Sequence, residues 1–351
     1  MAEHYSVIIV GGGPAGSSAA NRLRFDGPVK SALLLESREN DDFDRYHGMC
    51  GEGVSMMCLA EAGVDCPGLI RNRVGGAVER WPGGITLCTD MDGAVIDRGK
   101  LIAALRAPFL SMGGEERIAR VRSVRRSGDG FLVACDGGEI SCDYLVGADG
   151  ARSVVRKSLF GIEPAAYMNV VQYVVDRPME DRLFFNFDQR YRGKYRWEFP
   201  SGKCTKVGFP LGADPPPPDA LQKQSRSIPV GPLERIVAGR ACLVGDAASQ
   251  ANPVTFGGIR NGLTAGRMAA EAIMAGNLDL YQDSWSRSPL ADLCFYETYL
   301  LLRDMSNDML QDLVEPFRYG PSIAAVMRRL MNDHAFRSFY RSHVRKLELG
   351  W

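Results

Sequence analysis

Residues 5–16 read YSVIIVGGGPAG, an apolar run that ends in three glycines. Residues 5–10 lack the polar alternation of a half-exposed strand, so they read as a parallel strand buried on both faces. Gly11, Gly13 and Gly16 keep the spacing G-x-G-x-x-G. Gly11 allows a tight turn, Gly13 lets backbone approach a pyrophosphate, and Gly16 lets a helix pack closely on the strand. Residues 15–25 then read as a helix whose N-terminus offers free N–H groups to an anion. KSALLLE (residues 30–36) supplies a second strand. It ends on Glu36, whose carboxylate can accept from ribose hydroxyls. Strand, glycine turn, helix and strand make a βαβ unit of the dinucleotide-binding type.

The rest of the chain must be built around that unit. At 351 residues it exceeds one ordinary core, which predicts two or three interleaved domains. Hydrophobic residues make up 45% and charged residues 24%, as in a soluble globular protein. The 42 basic and 42 acidic residues balance, which argues against a nucleic-acid partner. The nine cysteines show neither C-x-x-C pairs nor metal-ligand spacing, so they read as free thiols in a reducing compartment, with no metal site. The eight besides Cys50 read as packing residues. The N-terminal apolar run is too short for a signal peptide, and no stretch reaches a membrane-spanning length. A cytoplasmic location is expected. The arginines of the tail (Arg318, Arg328, Arg329, Arg337, Arg341, Arg345) admit either a peripheral membrane contact or a solvated helix face.

Further along, ERIARVRSVRR (residues 116–126) reads as a strand, and residues 130–150 as a hairpin ending in an apolar strand. Residues 239–248 give another apolar strand, followed by a helix from Gly258. Residues 167–209 alternate aromatic and polar side chains, the pattern of antiparallel sheet. GADPPPP (residues 212–218) is a stiff connector, and the chain is helical from residue 285 onward. The expected fold is α/β: a doubly wound, Rossmann-like dinucleotide-binding domain with an inserted antiparallel β-sheet substrate domain and a helical C-terminus. The expected bounds are 1–70, 95–160 and 235–285 for the first, 71–94 and 161–234 for the second, and 286–351 for the third.

Two strand ends say which dinucleotide. LVGADGARSVVR (residues 145–156) carries Asp149-Gly150, and ACLVGDAASQANPVTFGGIRNGLTAG (residues 241–266) carries Gly245-Asp246. Asp246 can hold a ribityl hydroxyl, while Gly258 and Ile259 let backbone amides approach a flavin ring. Each alone is compatible with a plain turn. In this order after the first motif they resemble the FAD-dependent family that includes aromatic hydroxylases. YRWEFPSG (residues 195–202) is similar to the Y-x-W-x-F-P motif of geranylgeranyl reductases, and MCGEGVS (residues 49–55) to their C-x-E-G loop.

That resemblance implies non-covalent FAD, contacted by Ala15, Glu36, Cys50, Gly51, Gly53, Arg98, Asp246, Gly258 and Ile259, with Val121 near the adenine. It implies a reductase of carbon–carbon double bonds in an isoprenoid lipid chain. NAD(P)H or a small redox protein would donate electrons. A monooxygenase or halogenase of the same fold, or a non-catalytic flavoprotein holding a lipid or quinone, are the alternatives. Tyr195, Trp197, Phe199 and Pro200 would wall an apolar substrate pocket, although period two alone fits one face of any strand. Cys50 sits in a glycine-bearing loop with little apular neighbourhood of its own. Gly51 and Gly53 would bring that backbone close to the isoalloxazine, leaving the thiol to donate a proton, line the pocket or touch the ring. His47 reads as solvated. Ser249 and Phe256 depart from that family's pattern. Phe256 puts bulk where the family carries glycine, which bears on pocket depth, and the short C-terminal part bears on the room for a long chain.

Overall fold

The computed structural model describes residues 3–48, 50–320 and 323–350; Met1, Ala2 and Met49, which belong to stretches read above, lie outside the described residues. β1 (His4–Val10) passes through the glycine turn into α1 (Pro14–Arg22) and β2 (Ala32–Glu36). Next come α2 (Asn40–His47), β3 (Gly53–Ser55) and α3 (Met56–Ala62), then a long hairpin of β4 (Ile70–Trp81) and β5 (Ile85–Ile96). α4 (Arg98–Ser111), β6 (Glu115–Ile118), β7 (Val121–Ser127), β8 (Gly130–Cys135) and β9 (Gly138–Gly147) follow. A run of strands comes after them: β10 (Ala166–Val175), β11 (Leu183–Asn186), β12 (Arg196–Ser201), β13 (Cys204–Pro210) and β14 (Ala220–Val230). Short β15 (Val237–Ala238) and β16 (Ala241–Leu243) lead to α5 (Ile259–Met274). The chain closes with α6 (Asp279–Ser286), α7 (Cys294–Arg303), α8 (Asn307–Val314), α9 (Ile323–Asn332) and α10 (His334–Glu348).

One sheet runs β15-β16-β9-β1-β2-β6, with β8 on β9 and β7 on β8. β1 is parallel to both β2 and β9, and β9 to β16. Val7 to Val10 are buried, which explains their unbroken apolar run. The register brings three strand ends to one edge. Gly11 donates its N–H to Leu35 O at 2.8 Å, Ala148 to Val10 O at 2.8 Å, and Val244 to Gly147 O at 2.9 Å. The glycine turn, residues 148–150 and residues 245–246 therefore meet at the carboxyl ends of the strands, where such sheets place ligands. Helix α1 opens with Pro14, whose missing N–H costs nothing there. It meets α5 at backbone distance: a Cβ on Gly266 would lie 2.2 Å from Ala15 O.

The second sheet runs β14-β10-β13-β12-β11-β4-β5-β3, antiparallel except where β11 runs parallel to β4. The C-terminal helices pack on its far end, where Trp81 stacks on Phe187 at 3.8 Å and meets Phe339 edge-on. Residues 53–55 and 95–96 pair within this second sheet, although the expected bounds put them in the first unit.

Four local expectations are corrected. Residues 116–126 do not form one strand: Ala119 donates its N–H to Glu36 O at 2.7 Å, so β6 stays parallel while β7 turns away to β8. Helix α1 stops at Arg22 because Leu23 is extended (φ −59°, ψ 147°). Residues 239–248 hold only the short β16 before a 3₁₀ turn at Gly245–Ala248. The stretch read as a loop over residues 49–55 ends on β3 at Gly53–Ser55. Several tail arginines are engaged locally. Arg318 pairs with Glu315, Arg329 with Asp312 and Asp333, and Arg341 and Arg345 with Asp292. Among the described residues no helix is long and apolar enough to cross a membrane.

Candidate active site

The glycine turn is shaped by what a side chain would strike. At Gly11 (φ +101°) a Cβ would lie 2.4 Å from Ala148 O, and at Gly16 it would lie 1.9 Å from Gly11 O. Gly13, by contrast, faces only the His47 ring among the described residues, 3.7 Å away. Glu36 does more than wait at a strand end. Its Oε2 accepts from the Gly12 N–H at 3.1 Å, and its Oε1 accepts from the Ser37 and Arg38 N–H groups at 2.7 and 3.1 Å. Behind it, Arg106 donates to Gly12 O, pairs with Glu116, reaches Ser17 Oγ at 3.1 Å and stands 3.6 Å from Glu36. A buried carboxylate needs such a cation. Nothing in residues 101–109 singles out Arg106 in the sequence.

A cavity of about 720 Å³ extends from this turn. Gly11, Gly13, Ala15, Glu36, Arg98 and Val121 line it, together with Asp246, Gly258 and Ile259. Cys50, Gly51, Gly53, Tyr195, Trp197 and Phe199 line the same space. Gly16 lies beneath the turn, and Pro200 is spent in the β12–β13 pairing opposite Thr205. Neither is among the lining residues, so Pro200 is no part of the pocket wall. Asp149, which the sequence leaves as a motif residue, caps residues 153–155 through Ser153 Oγ and the Val154 and Val155 N–H groups. Burial pushes its pKa up.

The loop around Cys50 is packed more tightly than the sequence suggests. Cys50 is half-buried against a cluster that includes Val54, Leu101 and Ile259. Its Sγ accepts from the Glu52 N–H at 3.4 Å. Gly51 is required by an aromatic ring of the protein itself, since a Cβ there would lie 2.6 Å from Phe199 Cδ2. At Gly53 it would lie 3.2 Å from the same ring. Glu52 takes a left-handed φ of +61°. Its carboxylate pairs with Lys206 and accepts from the Arg98 N–H at 3.2 Å, while Lys206 Nζ also donates to Cys50 O at 3.0 Å. Glu52 is 2% exposed and Lys206 4%, and burial lowers the lysine's pKa. This pair was not legible in the sequence; its only trace is a lysine within the strand CTKVGFP (residues 204–210).

His47 corrects another expectation. It is not solvated but 2% exposed, at the end of α2, with its ring 4.3 Å from Phe43. Burial and the guanidinium groups of Arg98, Arg226, Arg106 and Arg38 bring its pKa down to about 2, so the ring is neutral. Both ring nitrogens, and Nε of Arg98, are buried without a partner among the described residues. Of the cysteines expected to pack, Cys58, Cys142, Cys242 and Cys294 are buried and Cys66, Cys135 and Cys204 half-buried, whereas Cys88 is exposed.

A dinucleotide fits these residues. The turn carries no side chain where a pyrophosphate would approach, a helix N-terminus opens on the cavity, and unpartnered polar atoms of His47 and Arg98 lie buried beside it. The FAD binding domain family matches residues 116–184. Fold and site define an FAD-dependent oxidoreductase.

Relatives narrow the class. Digeranylgeranylglycerophospholipid reductase 2 of Methanococcoides burtonii is 31% identical over 337 residues, covering 81% of this chain and 80% of the relative. Digeranylgeranylglycerophospholipid reductase 1 of Methanopyrus kandleri is 28% identical, covering 88% of this chain and 91% of the relative. The crystal structure of a geranylgeranyl bacteriochlorophyll reductase-like protein from Thermoplasma acidophilum superposes with a TM-score of 0.79 at 22% identity, covering 95% and 97% of the two chains. The chain belongs to the geranylgeranyl reductase family of FAD-dependent oxidoreductases.

Proposed function

We propose that this protein reduces carbon–carbon double bonds of an isoprenoid chain, with the parallel sheet holding FAD and the antiparallel sheet holding the substrate. The observation that carries this reading is the continuity of one cavity from the glycine turn to a wall of aromatic rings. Phe185 meets Tyr195 and Phe199 edge-on at 5.0 and 5.3 Å, and Trp197 lines the same face. Such an apolar wall with a few polar groups suits an alkene chain. The relatives named for reduction of geranylgeranyl groups support the same chemistry.

In this reading Glu36 accepts from the adenosine ribose, Val121 lies by the adenine, and Gly13 and Ala15 present the α1 N-terminus to the diphosphate. Arg98, Asp246, Gly258 and Ile259 hold the ribityl and flavin end. Bound and reduced, FAD would supply a hydride to one alkene carbon. Cys50 gives a proton to the other alkene carbon, so that two electrons and two hydrogens saturate one double bond. Lys206 and Glu52 fix the thiol by clamping its loop. Tyr195, Trp197 and Phe199 exclude water and align the chain. NAD(P)H or a small redox protein would keep the bound cofactor reduced.

The test is anaerobic. Protein loaded with FAD and reduced by dithionite is mixed with farnesol, and the product is weighed by mass spectrometry. A gain of two hydrogens per reduced bond is expected. Cys50→Ser should keep FAD and its reduction while slowing this step by about 10²- to 10⁴-fold, the usual worth of a general acid. An unchanged rate would leave Cys50 as a wall residue. Unaltered alkene together with oxygen consumption in air would overturn the reductase reading in favour of a monooxygenase.

A further inference from the structure

Phe256 has a φ of +52°. A bulky side chain rarely adopts that left-handed region, and such a conformation persists where the surroundings over-determine it. Here they do. The Phe256 N–H donates to Asn252 O at 2.8 Å, and the Asn252 N–H donates to Gly257 O at 3.1 Å. Asn252 Oδ1 accepts from the Val254 and Thr255 N–H groups at 2.9 and 3.0 Å, and the Tyr195 hydroxyl donates to Thr255 O.

The held ring is a partition. On one side it lines the cavity between Gly258 and Tyr195, with its centroid 5.6 Å from the Tyr195 ring. On the other it meets Tyr299 of α7 edge-on at 6.4 Å, in a cluster with Tyr296 and Leu300. Those three residues are absent from the cavity wall. The cavity of about 720 Å³ lies within the roughly 300–1,000 Å³ that ordinarily holds one drug-sized ligand, yet it must hold both a dinucleotide and a substrate.

We propose that Phe256 sets substrate length: it closes the inner end of the pocket, so the protein takes a short prenyl segment, and further isoprene units find no apolar surface. The proposal rests on the isoprenoid reading above. Titration calorimetry of the FAD-loaded protein with geraniol, farnesol and geranylgeraniol tests it without turnover.

In the natural protein, affinity should stop rising beyond farnesol. Phe256→Gly accepts the left-handed backbone and opens the space in front of Tyr299. Each added isoprene unit should then tighten binding by about tenfold or more, as expected for carbons newly removed from water. Phe256→Asn, a residue that also tolerates this φ, gives a second opened variant should the glycine loosen the turn, and should shift the same limit. Affinity that climbs equally through geranylgeraniol in natural and opened proteins would overturn the partition. Failure of all three alcohols to bind either protein would overturn the isoprenoid reading beneath it.

Discussion

Beside the glycine turn His47 buries both ring nitrogens, and at the start of α4 Arg98 buries its Nε, without a partner among the described residues. On the antiparallel sheet, by contrast, Lys206 is paired with Glu52, and Lys346 with Glu79, whose other oxygen accepts from Trp81 Nε1 at 3.2 Å. The two regions bury polarity to different ends. Unpartnered groups cost free energy unless a ligand completes them, so His47 and Arg98 on the cavity wall suit a bound cofactor, whereas Arg156 Nε and Asp219 Oδ1 are unpartnered away from it. Internally paired charges need no ligand, and these fix a loop and a helix against the sheet. The difference separates residues that await something from residues that hold the site in shape.

The comparison breaks most easily at Lys206. If the pair is structural, Lys206→Met strands the Glu52 carboxylate, and loss of one partner of a buried pair costs about 3–5 kcal/mol. Urea denaturation should show a loss of that size, and Lys206→Met combined with Glu52→Gln should recover much of it. An unaltered midpoint in the single variant would mean that the pair is not buried in solution.

Glu36 lies between the two kinds, engaged by the Gly12, Ser37 and Arg38 amides yet lining the cavity. Glu36→Ala should weaken FAD binding by about 1.5–3 kcal/mol, as for hydrogen bonds to a charged group. It should also lower the stability of the FAD-free protein, because Arg106 loses a counter-charge. A flavin titration with unchanged affinity would confine Glu36 to the second role.

The smallest effect is at His47. Its folded pKa lies near 2, below the ordinary 6.5, so the unfolded chain takes up the proton first. Its contribution to stability is intact above about pH 6.5 and is lost as pH falls below that value. His47→Phe should therefore reduce the melting-temperature difference of the FAD-free protein between about pH 8 and about pH 5, by an amount worth on the order of 1–2 kcal/mol. It should also weaken FAD by about 0.5–1.5 kcal/mol, the worth of one neutral hydrogen bond. Equal acid sensitivity in the variant would place the ring in water.

How much of this was legible depends on how far apart the interacting residues stand in the chain. Gly11, Gly13, Gly16 and Glu36 form a turn, a helix start and a strand end within one βαβ unit, so their geometry follows from local backbone chemistry and could be read directly. The same holds for the aromatic alternation at Tyr195, Trp197 and Phe199, which announces a sheet face. The sequence could not show that Gly51 makes room for Phe199, that Lys206 answers Glu52 from 154 positions away, or that Arg106 reaches Gly12 from 94. Nor could it show that a phenylalanine at position 256 would be held in a left-handed turn as a partition. Those contacts exist only after two sheets have closed on one cavity. Burial then makes each charge or ring depend on a partner that sequence spacing does not encode.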